Sequence, residues 1–214
     1  NPARSGVHDP AKFRELDADT VALFTRFQAG KLLVTLAPER TNSAYLRQLA
    51  DAGVIVSAGH TNATCRDIQA SLRNGLSGFT HLFNAMSPLQ SREPGAVGAA
   101  LDSPDSWCSI IVDGRHVDPA LLRIALKCKP AGKLILVTDA MAGVGSDRKS
   151  FRFQGRDIRV ENETCTDGNG VLAGTSLLAV FWCGTALGAI LAVLRLARVV
   201  QLWRTARMAW LVLG

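Results

Sequence analysis

Residues 53–81, GVIVSAGHTNATCRDIQASLRNGLSGFTH, decide the fold. A short apolar run over 53–58 closes on Gly59 and His60, a helical candidate follows over 63–74, and a second run over 76–80 closes on His81. Neither run alternates strictly between polar and apolar residues, which is the pattern of strands covered on both faces in a parallel sheet. The same unit continues outward in both directions. Apolar runs recur at 31–36 (KLLVTL), 107–112 (WCSIIV) and 133–138 (KLILVT). Helical candidates lie over 41–52 and 118–129, the latter with Pro119 where a first turn tolerates proline. Strands alternating with helices leave two architectures, a doubly wound open sheet or a (β/α)8 barrel. No Gly-x-Gly-x-x-Gly follows a strand, so the dinucleotide-binding open sheet loses support. A complete barrel takes about 250 residues for eight units. The visible units therefore predict an α/β chain holding part of a TIM-type (β/α)8 barrel, about strands four to eight, without its beginning.

After Asp139 the pattern changes. A Gly-rich turn at 142–145 precedes two short alternating segments, 151–153 and 157–160, which suit a β-hairpin. Residues 177–194 then form an 18-residue stretch free of charge, followed by Arg195 and Arg198, which meets the length rule for a membrane-spanning helix. Gly184, Gly188 and the position straight after a catalytic-looking domain argue against a span. The tail is rich in Leu, Ala, Val, Arg and Trp and has no Asp, Glu or Lys. That bias suits a shifted reading frame in a GC-rich gene; an intact frame encoding this tail in related loci would exclude it. The expected division is a barrel domain over 1–177 and an unrelated apolar tail over 178–214.

The chain has 214 residues, 48% of them hydrophobic and 20% charged, which places it among globular chains and away from disordered or collagen-like ones. Its formal charge of +6 is unevenly placed: beyond Asp167 the only charged residues are Arg195, Arg198, Arg204 and Arg207. The body before the tail is close to neutral and has no basic run interleaved with aromatics, so a nucleic-acid partner is disfavoured. Five cysteines without a Cys-x-x-Cys pair argue against a disulfide scaffold and a structural zinc knot, and fit a reducing cytoplasm. The opening at Asn1 and Pro2 shows neither a basic nor an apolar leader region, so no signal peptide is expected.

Three of the four histidines stand just past a strand: His60, His81 and, beyond SIIVDGR, His116. Asp139 ends KLILVTD in the same way. In a β/α sheet or barrel these positions gather on the rim at the carboxyl ends of the strands, where such folds bind ligands. Imidazoles and a carboxylate on one rim suggest a hydrolytic metal site. A single histidine after a strand is more often an ordinary hydrogen-bonding residue, but four such groups at successive strand ends favour function. Asn84, the loop bearing Arg92 and Glu93, and His8 converge on the same rim. A guanidinium beside imidazole and amide groups suits a phosphate or carboxylate, although an isolated Arg92 would more simply pair with Glu93. Gly143, Gly168 and Gly174 read as turn residues. Glu39 also ends a strand and could be a carboxylate ligand, although a solvent-facing helix-start position is the plainer reading.

These residues form motifs that resemble a family. GHTNAT at 59–64, THLFNAM at 80–86, REPG at 92–95, DGRHVDP at 113–119, LVTDAMAG at 136–143 and LAGTSL at 172–177, together with NPARSGVHDP at 1–10 and TLAPE at 35–39, look like N-acetylglucosamine-6-phosphate deacetylase, of the amidohydrolase superfamily. The match runs in order from Asn1 to about Leu177. The resemblance implies an amidohydrolase-type barrel that hydrolyses N-acetyl-D-glucosamine 6-phosphate to D-glucosamine 6-phosphate and acetate in amino-sugar catabolism. It implies a divalent metal on His60 and His81, zinc foremost, with iron, cobalt or manganese also compatible. Asp139 would take the proton of the attacking water and pass it to the leaving amine. His8 would lie against the acetamide carbonyl. Asn84, Ala85, Arg92 and His116 would hold the sugar phosphate, with Arg92 reaching across a homodimer interface. Leu172, Ala173 and Gly174 would line the substrate with backbone groups, and Glu39 would be structural or stand behind the metal ligands, not bind the metal itself. The family's metal-binding glutamate, in a Leu-Glu-Gly-Pro-like segment, is expected just ahead of Asn1 and is not in this sequence. The competing readings are a catalytically inactive sugar-phosphate-binding protein, a deacetylase of another N-acetyl amino-sugar phosphate, and a membrane-tethered protein.

Overall fold

A computed structural model describes residues 1–161, 164–175 and 208–212 of the chain. The helices are α1 (Ala18–Thr25), α2 (Ser43–Asp51), α3 (Cys65–Leu72), α4 (Gly95–Asp102) and α5 (Pro119–Cys128). The strands are β1 (Lys31–Leu36), β2 (Ile55–Ala58), β3 (Leu76–Phe79), β4 (Trp107–Ile111), β5 (Leu134–Val137), β6 (Ser150–Phe153), β7 (Arg156–Glu161), β8 (Thr164–Asp167), β9 (Leu172–Thr175) and β10 (Met208–Val212). Strands β1 to β5 lie side by side in sequence order, all parallel, with β10 parallel to β1 on its other side. This curled parallel sheet, with helices between successive strands, is a partial TIM-type barrel, the fold class read from the apolar runs.

The strands form where they do because both faces are covered. The middle four residues of β1 and the last three of β2 are buried, as are four of the five in β4. Phe79, Leu46, Leu49, Ile68 and Leu82 are among the largest fully buried side chains and join the sheet to α2 and α3 in one core. At such a site a Phe to Ala change costs about 3–5 kcal/mol.

Helix starts fall one or two residues inside the ranges read from the sequence, because the first polar residues are caps lying outside the helix. Asn42 accepts from Tyr45 N–H at the head of α2, and Asp118 from Ala120 N–H at the head of α5. Thr64 and Asp67 form a reciprocal capping box on α3. Gly75 ends the α3 region at positive φ, and a Cβ there would sit 2.4 Å from that of Ala50. The buried Lys129 ammonium closes α4, donating to the carbonyls of Ala100 (3.0 Å) and Ser103 and to Ser106 Oγ (3.1 Å).

Beyond Asp139 the hairpin read from the sequence is the first half of a four-stranded antiparallel sheet ordered β6, β7, β8, β9. Its own small core is Val7, Ile158, Cys165 and Ala173, flanked by Met141, Phe151, Phe153 and Val160. Gly174, read as a turn residue, instead lies within β9. No described helix is long and apolar enough to cross a membrane. The candidate span over 177–194 and most of the expected tail domain lie outside the described residues; 208–212 form β10.

Candidate active site

Gathering chemistry on one rim requires the chain to turn sharply at each strand end, and the backbone does so in a sparsely populated way. His60, His81, Ala85 and Asp139 all have positive φ, at 48°, 40°, 47° and 51°. Non-glycine residues rarely adopt this left-handed conformation, which tends to persist where surrounding structure enforces it, often at functional sites. Around His81 the enforcement is visible: its N–H donates to Ser109 Oγ of the neighbouring β4 at 2.8 Å, and its carbonyl accepts from Asn84 N–H at 2.9 Å.

The outcome is a compact histidine cluster. His60 Nε2 lies 3.1 Å from His81 Nε2, with ring centroids 4.9 Å apart. His60 Nδ1 is 2.8 Å from the Arg4 carbonyl, which can only accept, so Nδ1 carries the proton and Nε2 offers a lone pair toward His81. Burial first, and the neighbouring His81 second, push His60 down to about 4; burial likewise pushes His81 down to about 4. Both rings are therefore neutral, and able to act as ligands, at ordinary pH. A tetrahedral zinc ion holding two nitrogens at about 2.05 Å would place them about 3.3 Å apart, close to the observed separation. The carbonyl behind His60 is the kind of outer partner that orients metal-bound imidazoles. The donor pair thus fits two positions of a divalent metal, while no group of three His, Cys, Asp or Glu residues among the described residues completes a ligand set.

His8 packs edge-on against His60, centroids 5.1 Å apart, and against Phe153 at 5.9 Å. Its Nδ1 is buried without a hydrogen-bond partner among the described residues, as is His81 Nδ1. Burial lowers His8, opposed by the attraction of Asp139. Asp139 feels the same neighbours. Although much of the residue is open to solvent, crowding around its carboxyl raises it above the usual carboxylate range, against the pull of His116, His60 and His8. His116 also acts on His81. Electrostatically the four histidines and Asp139 are one site.

Strand β9 reaches that site from the second sheet. Thr175 N–H donates to the Asp139 carbonyl at 3.0 Å, Met141 N–H to the Thr175 carbonyl at 2.8 Å, and Thr175 Oγ1 to the Thr138 carbonyl at 3.0 Å. Leu172, Ala173 and Gly174 are thereby carried to the side of Asp139. Gly174, at φ 132°, has no room for a side chain: a Cβ would lie 2.5 Å from the Asp139 carbonyl.

Other expected positions behave differently. The Asn84 amide folds back on its own turn, 3.4 Å from the carbonyls of His81 and Leu82. The Ala85 carbonyl accepts from Thr61 N–H at 3.1 Å, tying the β3 rim to the β2 rim. Arg92 is exposed and forms no ion pair among the described residues. Glu93 is not its partner: its Oε1 accepts from Cys65 N–H (2.7 Å) and Gly95 N–H (2.9 Å), joining the starts of α3 and α4. Glu39 does not face solvent from a helix start either. It sits in a 3-10 turn and accepts from Thr61 Oγ1 at 2.6 Å, Asn62 N–H at 2.7 Å and Asn1 Nδ2 at 2.9 Å. These bonds hold the loop that carries His60. One further residue was not singled out from the sequence: Asp113, 2.6 Å from His116 Nδ1. The three-residue spacing inside DGRH was its only signal.

No family model matches the sequence. It is 42% identical over 175 residues to the N-acetylgalactosamine-6-phosphate deacetylase of Shewanella sp. (strain ANA-3), covering 82% of this chain and 44% of the relative. It is 39% identical over 177 residues to the N-acetylglucosamine-6-phosphate deacetylase of Haemophilus influenzae, covering 81% of this chain and 46% of the relative. The crystal structure of N-acetylglucosamine-6-phosphate deacetylase from Pasteurella multocida superposes with a TM-score of 0.77 at 38% identity, over 83% of this chain and 48% of that one. A mutant of the Mycobacterium smegmatis enzyme in complex with N-acetyl-D-glucosamine-6-phosphate gives a TM-score of 0.76 at 33% identity, over 83% and 47%. The chain spans about half the length of the curated relatives it matches. Along that half, in sequence and in fold, the chain is a homologue of the N-acetylglucosamine- and N-acetylgalactosamine-6-phosphate deacetylases.

Proposed function

We propose that this rim serves metal-dependent hydrolysis of N-acetyl-D-glucosamine 6-phosphate to D-glucosamine 6-phosphate and acetate, a step of amino-sugar catabolism. The observation that carries the reading is the convergence of His60 Nε2 and His81 Nε2 at 3.1 Å on the rim that also holds Asp139. His60 and His81 would hold a divalent metal, zinc foremost, which when bound lowers the pKa of water toward 7 and polarises a carbonyl. Asp139 is the group suited to move the proton. Its raised carboxyl makes it a better base than an ordinary aspartate, and the proton it takes from the attacking water goes to the amine as the carbon–nitrogen bond breaks. His8, whose Nδ1 is buried without a hydrogen-bond partner among the described residues, would lie against the acetamide carbonyl.

Sugar-phosphate binding falls to Asn84, Ala85, Arg92 and His116, with the backbone of Leu172, Ala173 and Gly174 lining the substrate. Arg92, exposed and free of any ion pair among the described residues, serves the phosphate of a partner subunit in a homodimer. The barrel portion over 1–177 carries all of these residues, and the apolar tail over 178–214 carries none.

The identity to a relative named for the galactosamine phosphate supports a second substrate reading. Acetate release from both N-acetylhexosamine 6-phosphates, with and without added zinc, tests both. Zinc-dependent release from the glucosamine substrate that falls at least 100-fold in Asp139→Asn supports the reading. Preference for the galactosamine substrate moves the assignment to that sugar.

A further inference from the structure

Resting on the deacetylase reading, we propose that Asp113 is a positioning residue that fixes the tautomer of His116, and so decides which ring nitrogen is offered to the sugar phosphate. Asp113 follows β4, and its two carboxylate oxygens do different work. Oδ1 accepts from the N–H groups of Arg115 (2.9 Å) and His116 (2.8 Å), which closes the turn. Oδ2 lies 2.6 Å from His116 Nδ1. The side chains of His116 and Asp113 are only 5% and 3% exposed, so water competes little for this contact.

A carboxylate that is ionised has no proton to give, so the proton of the pair resides on Nδ1. Burial alone would raise the Asp113 carboxyl, but the two backbone N–H groups and the His116 ring hold it below its usual value, which keeps it ionised. The other nitrogen, Nε2, is then the atom left for the rim, where His116 acts on both His81 and Asp139. Closing the turn needs only Oδ1. The second oxygen is what sets the ring.

The test uses the ¹⁵N-labelled chain, with the imidazole nitrogens of His116 read by long-range ¹H–¹⁵N correlation over a pH series, the tautomer being taken from the spectra of the neutral ring. In Asp113→Asn one oxygen remains for the backbone N–H groups, while an NH2 donor faces Nδ1 and forces the ring proton onto Nε2. The expected result is an Nδ1–H ring in the parent and an Nε2–H ring in Asp113→Asn. Acetate release from N-acetylglucosamine 6-phosphate should fall by about 10–100-fold in kcat/KM, within the range that partners orienting functional histidines command. A parent ring already carrying its proton on Nε2, or a folded Asp113→Asn protein with an unchanged tautomer, overturns the proposal. The parent spectrum decides even where the variant does not fold. It also needs no turnover, so failure of this proposal is distinguishable from failure of the deacetylase reading.

Discussion

His60, His81, Ala85 and Asp139 share a left-handed backbone that side chains rarely take, and each such residue stores about 1–3 kcal/mol of strain. Hydrogen bonds from the neighbouring loops hold that strain in place, and Glu39 is the clearest holder. Glu39→Ala leaves the Thr61 hydroxyl and the Asn62 N–H without their acceptor, so it should destabilise the chain by about 1–3 kcal/mol, read as a lower urea midpoint. It should also loosen His60, read as weaker zinc binding by titration. The two neutral histidines make a separate prediction for the metal-free chain. In the folded state they titrate near 4, whereas an unperturbed histidine titrates near 6.5. Between those values the unfolded chain takes up protons that the folded chain refuses, so stability is fully present above about pH 6.5 and is lost as pH falls toward 4. Urea midpoints at pH 7.5 and 5 should drop in that order; an equal midpoint at both would contradict the burial of the pair. His60, His81 and Asp139 were legible in the sequence because each closes an apolar run. The resemblance gave Glu39 a structural role, but its partners, and those of Asp113, were not legible, because each depends on which distant or looped-back donor its oxygens meet.

At the scale of the element, β1 to β5 were legible because a strand buried on both faces must be apolar throughout. Helix α4 was not. Its GAVGAA stretch is buried at every position from Gly95 to Ala100, so no polar face marks a helical period. Strand β9 hid for a related reason: LAGT has little strand character of its own and is placed by its ladder to β8 and by the Asp139 turn. That dependence is testable at Gly174. A larger residue there must push β9 away from the Asp139 carbonyl, 2.5 Å from where its Cβ would lie. Gly174→Val should cost about 1–3 kcal/mol and lower turnover with it. Gly168→Ala, in the same part of the chain with nothing within 4 Å of the new Cβ, should stay within about 0.5 kcal/mol of the parent. Thermal melts of the two variants beside the parent check the contrast.

At the scale of the molecule, the parallel sheet is covered on most of its surface but leaves β5 at an edge among the described strands. Leu136 on that strand is 41% exposed, and Leu126 on the adjacent α5 is 68% exposed. An exposed apolar edge strand invites pairing with another chain, so the isolated chain should associate as its concentration rises. Sedimentation should show larger species in the parent and fewer in Leu136→Lys. The α/β class was legible from strand and helix alternation, and the barrel from the missing Gly-x-Gly-x-x-Gly together with the family resemblance, whereas the docking of the second sheet onto the rim required the register of β9. The rim's chemistry is the centre of the account, and it is tested most directly by acetate release from N-acetylglucosamine 6-phosphate. The protein to use is this chain joined to the portion of the Haemophilus influenzae relative that it does not span, loaded with zinc, beside the same protein carrying Asp139→Asn. The account predicts turnover by the first and at least about 100-fold less by the second. A folded, zinc-loaded protein that leaves both N-acetylhexosamine 6-phosphates intact, or one whose turnover survives Asp139→Asn, would contradict it.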